Sequence, residues 1–197
     1  INNYKEISEQ NKFWYMFHKL ANIYLSSGNI SEALYYSSKA LLSDEFDPDK
    51  MINLLYDLGM LFENIGQITA AKNFYEAVLY YRDSAGWSIP EELRFAEKEL
   101  NLSRQTEPNV KALKNFALEV IKSKDSLQFG RISKLDKTKK FGFISYNAGQ
   151  SMYFSLKAIK LSLSLGDKVL FNIGIINDKK CAIDVYKIGG NNGKNIN

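Results

Sequence analysis

The sequence is poor in the residues that build cross-linked and metal-containing proteins. Its 197 residues include one cysteine, Cys181, and one histidine, His18. A single cysteine excludes an internal disulfide and favours a reducing compartment, so we expect a cytoplasmic protein. One cysteine and one histidine are also too few for a Cys/His zinc site. We therefore expect neither a metal nor another cofactor.

Long apolar runs and catalytic motifs are missing as well. No run reaches the roughly 18 apolar residues that a membrane-spanning helix requires. There is no glycine-rich phosphate loop and no nucleophile paired with a base. Paired acids such as Glu91-Glu92 stand where a helical pattern begins, and negative charge stabilises a helix N-terminus. We expect no enzymatic activity in these residues.

Charge divides the chain into two unlike parts. Residues 1–125 carry 14 lysines and arginines against 18 acids, a net charge of −4, whereas residues 126–197 carry 12 against 4, a net charge of +8. Such asymmetry indicates a basic module for polyanions attached to an acidic one. The reversal coincides with residues 122–126, whose composition is typical of a linker. We predict a helical domain over 1–125, a basic domain over 126–190 and a disordered tail over 191–197. Because the sequence begins at Ile1, with neither an initiator methionine nor a signal peptide, we also expect a piece of a longer protein.

The acidic part shows helical periodicity in paired segments. Apolar residues recur at helical spacing from Phe13 onward, Gly28 breaks the pattern, and a second helical segment follows. The arrangement restarts after Pro48, and the two units superpose with a shift of 38 residues, which places Ala21 on Gly59. A fixed period in this range predicts stacked helix pairs. A third, weaker pair is predicted over residues 90–122.

The spacing of small and large apolar residues in these units resembles the tetratricopeptide repeat. The residues of the second unit that carry the resemblance are Leu55, Leu58, Gly59, Phe62, Ala71 and Tyr75. The unit of 38 residues, and Ser37 where a large aromatic residue is usual, depart from the family pattern. The resemblance implies a concave face that binds a protein segment. The residues that it places on this face are Tyr15, His18, Asn22, Tyr56 and Met60.

Two more specific roles on that face are not predicted. Some relatives hold a terminal carboxylate with lysine, asparagine and arginine, but only Asn22 matches, and Asp57 stands where a second asparagine is expected. His18 has no catalytic partner in the pattern, so we interpret it as a packing or solvated residue. The aromatic residues of this half, including Phe74, Tyr75, Tyr80 and Tyr81, are interpreted as interhelix core.

The basic part contains five short segments rich in β-branched and aromatic residues, separated by turns. The segments are 128–135, 141–146, 151–154, 168–173 and 181–187. Alternation along the second segment places Phe141 and Phe143 on one face, opposite Gly142 and Ile144. Two rings preceded by Lys139 and Lys140 are typical of a surface on which bases stack while phosphates meet ammonium groups.

Residues 130–185 resemble a cold-shock domain, the small five-stranded OB-type barrel that binds single-stranded RNA or DNA. The segment Lys140-Phe141-Gly142-Phe143-Ile144 resembles its first RNA-binding motif, and Met152-Tyr153-Phe154-Ser155-Leu156 resembles a degenerate form of its second. Position by position, the resemblance gives stacking roles to Phe141, Phe143 and Tyr153. It gives neighbouring basic roles to Arg131 and Lys139.

Several positions depart from that family. Lys134 replaces the tryptophan of the first strand, and Ser155 and Leu156 replace a histidine and a phenylalanine of the second motif. Each stacked base contributes roughly 1–3 kcal/mol, so the loss of rings is expected to weaken binding. Contacts of Lys134 and Lys140 with phosphates would recover part of that affinity, with a steep salt dependence.

These patterns predict a multidomain α plus β protein: an N-terminal stack of antiparallel, tetratricopeptide-like helix pairs and a C-terminal five-stranded cold-shock-like OB barrel. The predicted function is a non-catalytic adaptor. The barrel would bind single-stranded nucleic acid, RNA in preference to DNA, and the helical repeats would bind a protein partner. The alternative is a protein-interaction or regulatory module of a larger protein, with a barrel that has lost nucleic-acid binding.

Overall fold

The computed structural model of the protein divides into two compact units, Ile1–Ser123 and Lys124–Asn197. The first unit contains the helices apart from the end of the last one, and the second contains the strands. The predicted tail lies outside the described residues, and the predicted boundaries of independently folding domains stay a prediction. The structure describes residues 13–43, 45–125, 127–159, 161–176 and 178–188.

Six α-helices are described, in the paired order that the periodicity predicts. They are α1 Trp14–Ser26, α2 Ile30–Ser43, α3 Pro48–Asn64, α4 Ile68–Ser84, α5 Glu91–Leu100 and α6 Val110–Lys124. The helices of the first two pairs are separated by Gly28 and Gly66, which have positive φ angles of 77° and 75°. Glycine adopts this conformation without a steric penalty, and it therefore ends the first helix of each pair. Asp47 caps α3 by accepting a hydrogen bond from the Lys50 backbone N–H at 3.4 Å.

Small residues let the paired helices cross closely. A Cβ atom added to Gly59 of α3 would lie 2.7 Å from the ring of Tyr75 on α4, well inside van der Waals contact. The third pair joins the same core through Phe116 of α6, whose ring centroid lies 6.2 Å from that of Phe62 and 6.5 Å from that of Phe74. The interhelix packing predicted for Phe74 and Tyr75 is confirmed, because both are buried.

The linker predicted over residues 122–126 is wrong for its first three residues, which form the last turn of α6. The polar side chains there bond to their own helix. Lys122 Nζ lies 2.7 Å from Glu119 Oε1, and the Ser123 hydroxyl donates to the Val120 carbonyl oxygen at 2.8 Å. A polar composition therefore marks the solvent side of a helix end here rather than an irregular connection.

Five antiparallel strands follow in one sheet with the order β3-β2-β1-β4-β5. Each of the five predicted segments forms a strand. The strands are β1 Gln128–Asp136, β2 Phe141–Tyr146, β3 Gln150–Ser155, β4 Lys168–Ile176 and β5 Lys179–Lys187. A short 3-10 turn, Leu156–Ala158, follows β3.

The predicted closed barrel is not formed. No hydrogen-bonded ladder joins β3 to β5 in the described part of the chain, so the sheet keeps two edges. The edge strands do approach each other, and they share one core whose largest members are Phe154 and Phe171. β3 is short, and β5 is bulged near Asp184, where φ is 48°. The bulge bends β5 and locally interrupts its pairing with β4. The OB-fold identity stays a prediction.

Candidate functional site

Three aromatic side chains cluster on the outer face of the sheet, and we call them the aromatic patch: Phe141 and Phe143 of β2 and Tyr153 of β3. Phe143 and Tyr153 are direct cross-strand partners, and their ring centroids lie 5.9 Å apart. Phe141 lies 6.1 Å from Tyr153 with an interplanar angle of 23°, and 5.9 Å from Phe143. The rings are therefore neighbours on one surface, as the alternation of β2 predicts.

The inner side of β2 explains why a glycine separates the two phenylalanines. Gly142 and Ile144 are buried while Phe141 and Phe143 are only half-buried. A Cβ atom at position 142 would lie 2.7 Å from the Lys134 carbonyl oxygen and closer still to the ring of Phe154. Gly142 is therefore required by the core beneath the patch.

The patch is unevenly exposed. Tyr153 keeps 43% of its surface, whereas Phe141 and Phe143 are partly covered by the neighbouring rings. An incoming planar group would meet Tyr153 first. The Phe141 and Tyr153 rings are close to parallel, so the patch offers aromatic surface of the kind on which bases stack without sequence preference.

A β-bulge brings Lys134 to the patch. The β1–β2 register shifts between Ile132 and Lys134, and the extra residue, Ser133, donates its hydroxyl to the Phe143 carbonyl oxygen at 3.2 Å. The shift makes Lys134 the partner of Phe143 and places its Nζ 5.9 Å from the centroid of Phe141. Without the bulge, strict alternation would turn this lysine towards the core, where an unpaired charge is costly.

The other predicted basic residues fall into two places. Arg131 is exposed and pairs with Ser145, two positions along β2 from Phe143, so it shares the outer face. Lys139 is exposed in the β1–β2 turn, where its backbone N–H donates to Asp136 Oδ1 at 2.8 Å. Lys140 has a φ of 56° and lines a cleft together with aliphatic residues. None of the three rings of the aromatic patch lines this cleft.

On the helical unit, the predicted groove residue His18 has a specific partner. Its Nε2 lies 2.7 Å from Asp57 Oδ2, which joins α1 to α3, and its ring stacks on Trp14 with centroids 6.1 Å apart. The imidazole is therefore held by an ion-pairing or hydrogen-bonding contact between successive repeats. This contact fits the packing interpretation and offers no nucleophile for catalysis.

Tyr56, also predicted for the groove, packs against Tyr75 with ring centroids 5.9 Å apart. The Tyr75 hydroxyl donates to Glu63 Oε2 at 2.7 Å, and its pKa is raised by burial and by this carboxylate. Burial is also the largest cause that raises the pKa of Tyr56, and the negative charges of Glu92, Asp57 and Glu63 raise it further. Both phenols therefore remain protonated hydrogen-bond donors at neutral pH. Of the other predicted groove residues, Tyr15 and Asn22 are exposed and Met60 is half-buried.

Two features of these sites were not predicted, although the sequence contains a signal for each: the contact between His18 and Asp57, and the bulge in β1. The 38-residue shift aligns His18 with Tyr56, so the neighbour of Tyr56 in the chain is a natural partner for the histidine. In β1, the apolar residues Ile132 and Leu135 are three positions apart instead of two. That spacing in a strand indicates a bulge.

Within the described ranges, no group of three or more histidine, cysteine, aspartate or glutamate residues could hold a metal ion. Of the helices that the structure describes, none combines the length and the apolar character needed to cross a bilayer.

Comparison with known proteins gives one family match. Residues 52–84 match the tetratricopeptide repeat, a region that covers most of α3 and all of α4. This confirms the repeat predicted for the second unit, and such repeats are typically non-catalytic protein-interaction modules. No curated protein and no solved structure matches the chain.

Proposed function

We propose that the protein is a non-catalytic adaptor that holds single-stranded nucleic acid, RNA in preference to DNA, on its sheet and a protein partner on its helices. The observation that supports the nucleic-acid role is the aromatic patch with Lys134 beside it. Stacking needs exposed ring faces, and phosphates need nearby cations. The rings and the lysine lie on one face of the sheet. The centroids of Phe141 and Tyr153 are 6.1 Å apart, and Lys134 Nζ lies 5.9 Å from the centroid of Phe141.

The protein-partner role rests on the repeat match at residues 52–84 and on the contacts around it. His18 and Asp57 connect the first helices of two successive pairs, which are the helices that line the concave face in repeats of this kind. Tyr15, Asn22, Tyr56 and Met60 keep exposed or half-exposed surface along α1 and α3. This surface supports a protein ligand, whereas Asp57 disfavours one that is held by its terminal carboxylate.

The proposed nucleic-acid binding is tested by fluorescence anisotropy with a labelled single strand of about 12 nucleotides, as RNA and as DNA, across a salt series. Phe141→Ala combined with Phe143→Ala should weaken binding tenfold or more, because each stacked base contributes roughly 1–3 kcal/mol. Lys134→Gln should also make the plot of log affinity against log salt less steep, by about 0.7, because one phosphate contact is lost.

The matched control is Phe95→Ala, which removes an exposed phenylalanine from α5 and should leave binding unchanged. Circular dichroism checks that each variant stays folded. Equal, weak binding by the wild type and the double variant would reject the nucleic-acid role. It would favour the alternative, in which the sheet is a protein-docking module and its positive charge is incidental.

A further inference from the structure

A cleft of about 340 Å³ lies beside the β1–β2 turn, at the end of the sheet where the short 3-10 turn follows β3. It is built from that β1–β2 turn, the 3-10 turn and the segment that leads on towards β4. Its lining is Leu135, Lys137, Lys140, Leu156, Lys157, Ile159, Leu161, Ser162 and Leu163.

The charged groups of this lining are all positive. Lys137, Lys140 and Lys157 are exposed, and no aspartate or glutamate belongs to the described lining. Lys140 adopts a left-handed backbone conformation with φ of 56°, which is uncommon for a side chain of this size. Three lysines around one opening give it a positive electrostatic potential, which attracts anions.

The uncharged part of the lining is almost entirely aliphatic. Leu135, Leu156, Ile159 and Leu161 are half-buried and pack against the sheet core, and Leu163 beneath them is 3% exposed. The core of the sheet is therefore only partly covered at this end. Among the described lining residues there is no aromatic ring, and Ser162 provides the one side-chain hydroxyl.

We propose that this cleft binds a small organic anion with an aliphatic body, of the medium-chain carboxylate type. The carboxylate lies among the ammonium groups of Lys137, Lys140 and Lys157, and the alkyl chain covers the half-buried leucines and isoleucine. Burial of the alkyl chain removes apolar surface from water on both partners. This site is distinct from the aromatic patch, because none of the patch's three rings lines it, although Lys140 is also one of the lysines predicted to contact phosphates.

Other ligand classes fit the same lining less well. A nucleobase would find no ring to stack on and one hydroxyl to bond to, so it would gain little from the floor of the cleft. Free phosphate would satisfy the lysines but leave the aliphatic floor exposed. A cationic or neutral amphiphile would use the floor but leave the ammonium groups uncompensated.

The test uses the full chain and a series of straight-chain carboxylates from butyrate to decanoate, each below its micelle concentration, with binding followed by methyl NMR and calorimetry. The proposal expects saturable binding to one site, with shifts centred on Leu135, Leu156, Ile159 and Leu161. Affinity should rise about three- to fourfold for each added methylene that the cleft covers. Decylamine should show no saturable binding.

Changing Lys137, Lys140 and Lys157 together to glutamine should weaken decanoate binding at least tenfold, while the matched variant Lys134→Gln at the aromatic patch leaves it unchanged. Unchanged methyl spectra of the free variants verify folding. Acetate or phosphate binding as tightly as decanoate, equal binding of decylamine, or shifts elsewhere in the chain would each overturn the proposal. So would shifts of these methyl groups produced only by the oligonucleotide, since the cleft would then belong to the nucleic-acid surface.

Discussion

Gly142 lies on the inner side of β2, where the absence of a side chain leaves room for the ring of Phe154. Above it lie the aromatic rings of β2, and beneath it lies Phe154, one of the fully buried residues of the core. The lysine-rich sequence around Gly142 indicates a binding surface, but the contact that requires glycine faces the interior. A residue of a binding motif can thus be essential for packing while it never contacts the ligand.

Replacing Gly142 with alanine should lower the free energy of unfolding of the sheet by about 1–3 kcal/mol, because the new methyl group overpacks against Phe154 and the Lys134 carbonyl group. Hydrogen exchange of the β2 amides measures this change within the sheet. Ser145→Ala, on the exposed face of the same strand, is the matched control and should stay within about 0.5 kcal/mol of the wild type. Equal protection in both variants would contradict the packing assigned to Gly142.

At the scale of single residues, alternation in the sequence predicted the facing of Phe141, Phe143 and Ile144 correctly. Alternation counted from Ile132 does not account for the outward position of Lys134, because the bulge at Ser133 changes which residues face outward. The choice between a buried lysine and a bulge depends on tertiary packing, and local periodicity does not include that energy. The partnership of His18 with Asp57 is also a tertiary contact, between residues 39 positions apart.

Among the elements, α5 is the shortest of the six described α-helices, and ion pairs stabilise its C-terminal end. The Arg104 guanidinium forms a bidentate ion pair with the Glu97 carboxylate. Its Nη1 also lies 3.5 Å from Asp83 Oδ1 at the end of α4. The Ser103 backbone N–H donates to Glu76 Oε1 on α4 at 3.0 Å. The segment after α5 is thus connected to α4 mainly through charge.

This arrangement makes part of the stability of the helical unit pH-dependent. The hydrogen bond from Arg104 holds the pKa of Glu97 below its ordinary value of 4.5. The contribution is therefore fully present above pH 4.5 and is lost as pH falls through the lower folded value. Glu97→Gln should cost less than about 1 kcal/mol at neutral pH, because the pair is partly exposed.

Thermal unfolding followed by circular dichroism at several pH values measures the difference between wild type and Glu97→Gln. The difference should shrink as pH falls below about 4.5. Glu99→Gln, two residues along the same helix and exposed, should show no such trend. A constant difference at all pH values would mean that Glu97 stabilises α5 through packing and not through its charge.

At the scale of elements, periodicity and turn residues predicted the six described helices and five described strands in the correct order, although the pattern of the third helix pair is weaker than that of the first two. The end of α6 and the closure of the sheet were not predicted correctly. The Lys-Ser-Lys sequence at residues 122–124 is compatible with both a helix end and a linker. Closure depends on whether β3 and β5 pair across the sheet, and this is decided by non-local geometry.

Across the whole molecule, the charge separation seen in the sequence follows the two units closely. Residues 1–125 have a net charge of −4 and residues 126–197 a net charge of +8. A nucleic acid approaching the sheet is attracted by one part of the chain and repelled by the other. Such long-range terms act mainly on association, and they weaken as salt shortens the screening length.

Residues 124–197 alone should therefore bind the single-stranded oligonucleotide several-fold tighter than the full chain at about 0.01 M salt, where the Debye length is about 30 Å. The difference should become small near 0.15 M, where the Debye length is about 8 Å. Anisotropy measured on both proteins, after circular dichroism has shown that the shorter one folds, tests this expectation. A deficit of the full chain that persists at every salt concentration would indicate steric covering and not charge.

The position of Trp14 against His18 provides the protein with an internal optical reporter. Both tryptophans, Trp14 and Trp87, belong to the helical unit, so Lys124–Asn197 is silent in indole emission. Trp14 stacks on the imidazole that bridges α1 and α3, whereas Trp87 follows α4. A peptide that engages His18 should change the environment of one indole and leave the other as an internal reference. The proposed binding of a partner on the helices should therefore change the indole emission of an unlabelled sample, whereas the proposed binding of nucleic acid on the sheet meets no tryptophan in its own unit.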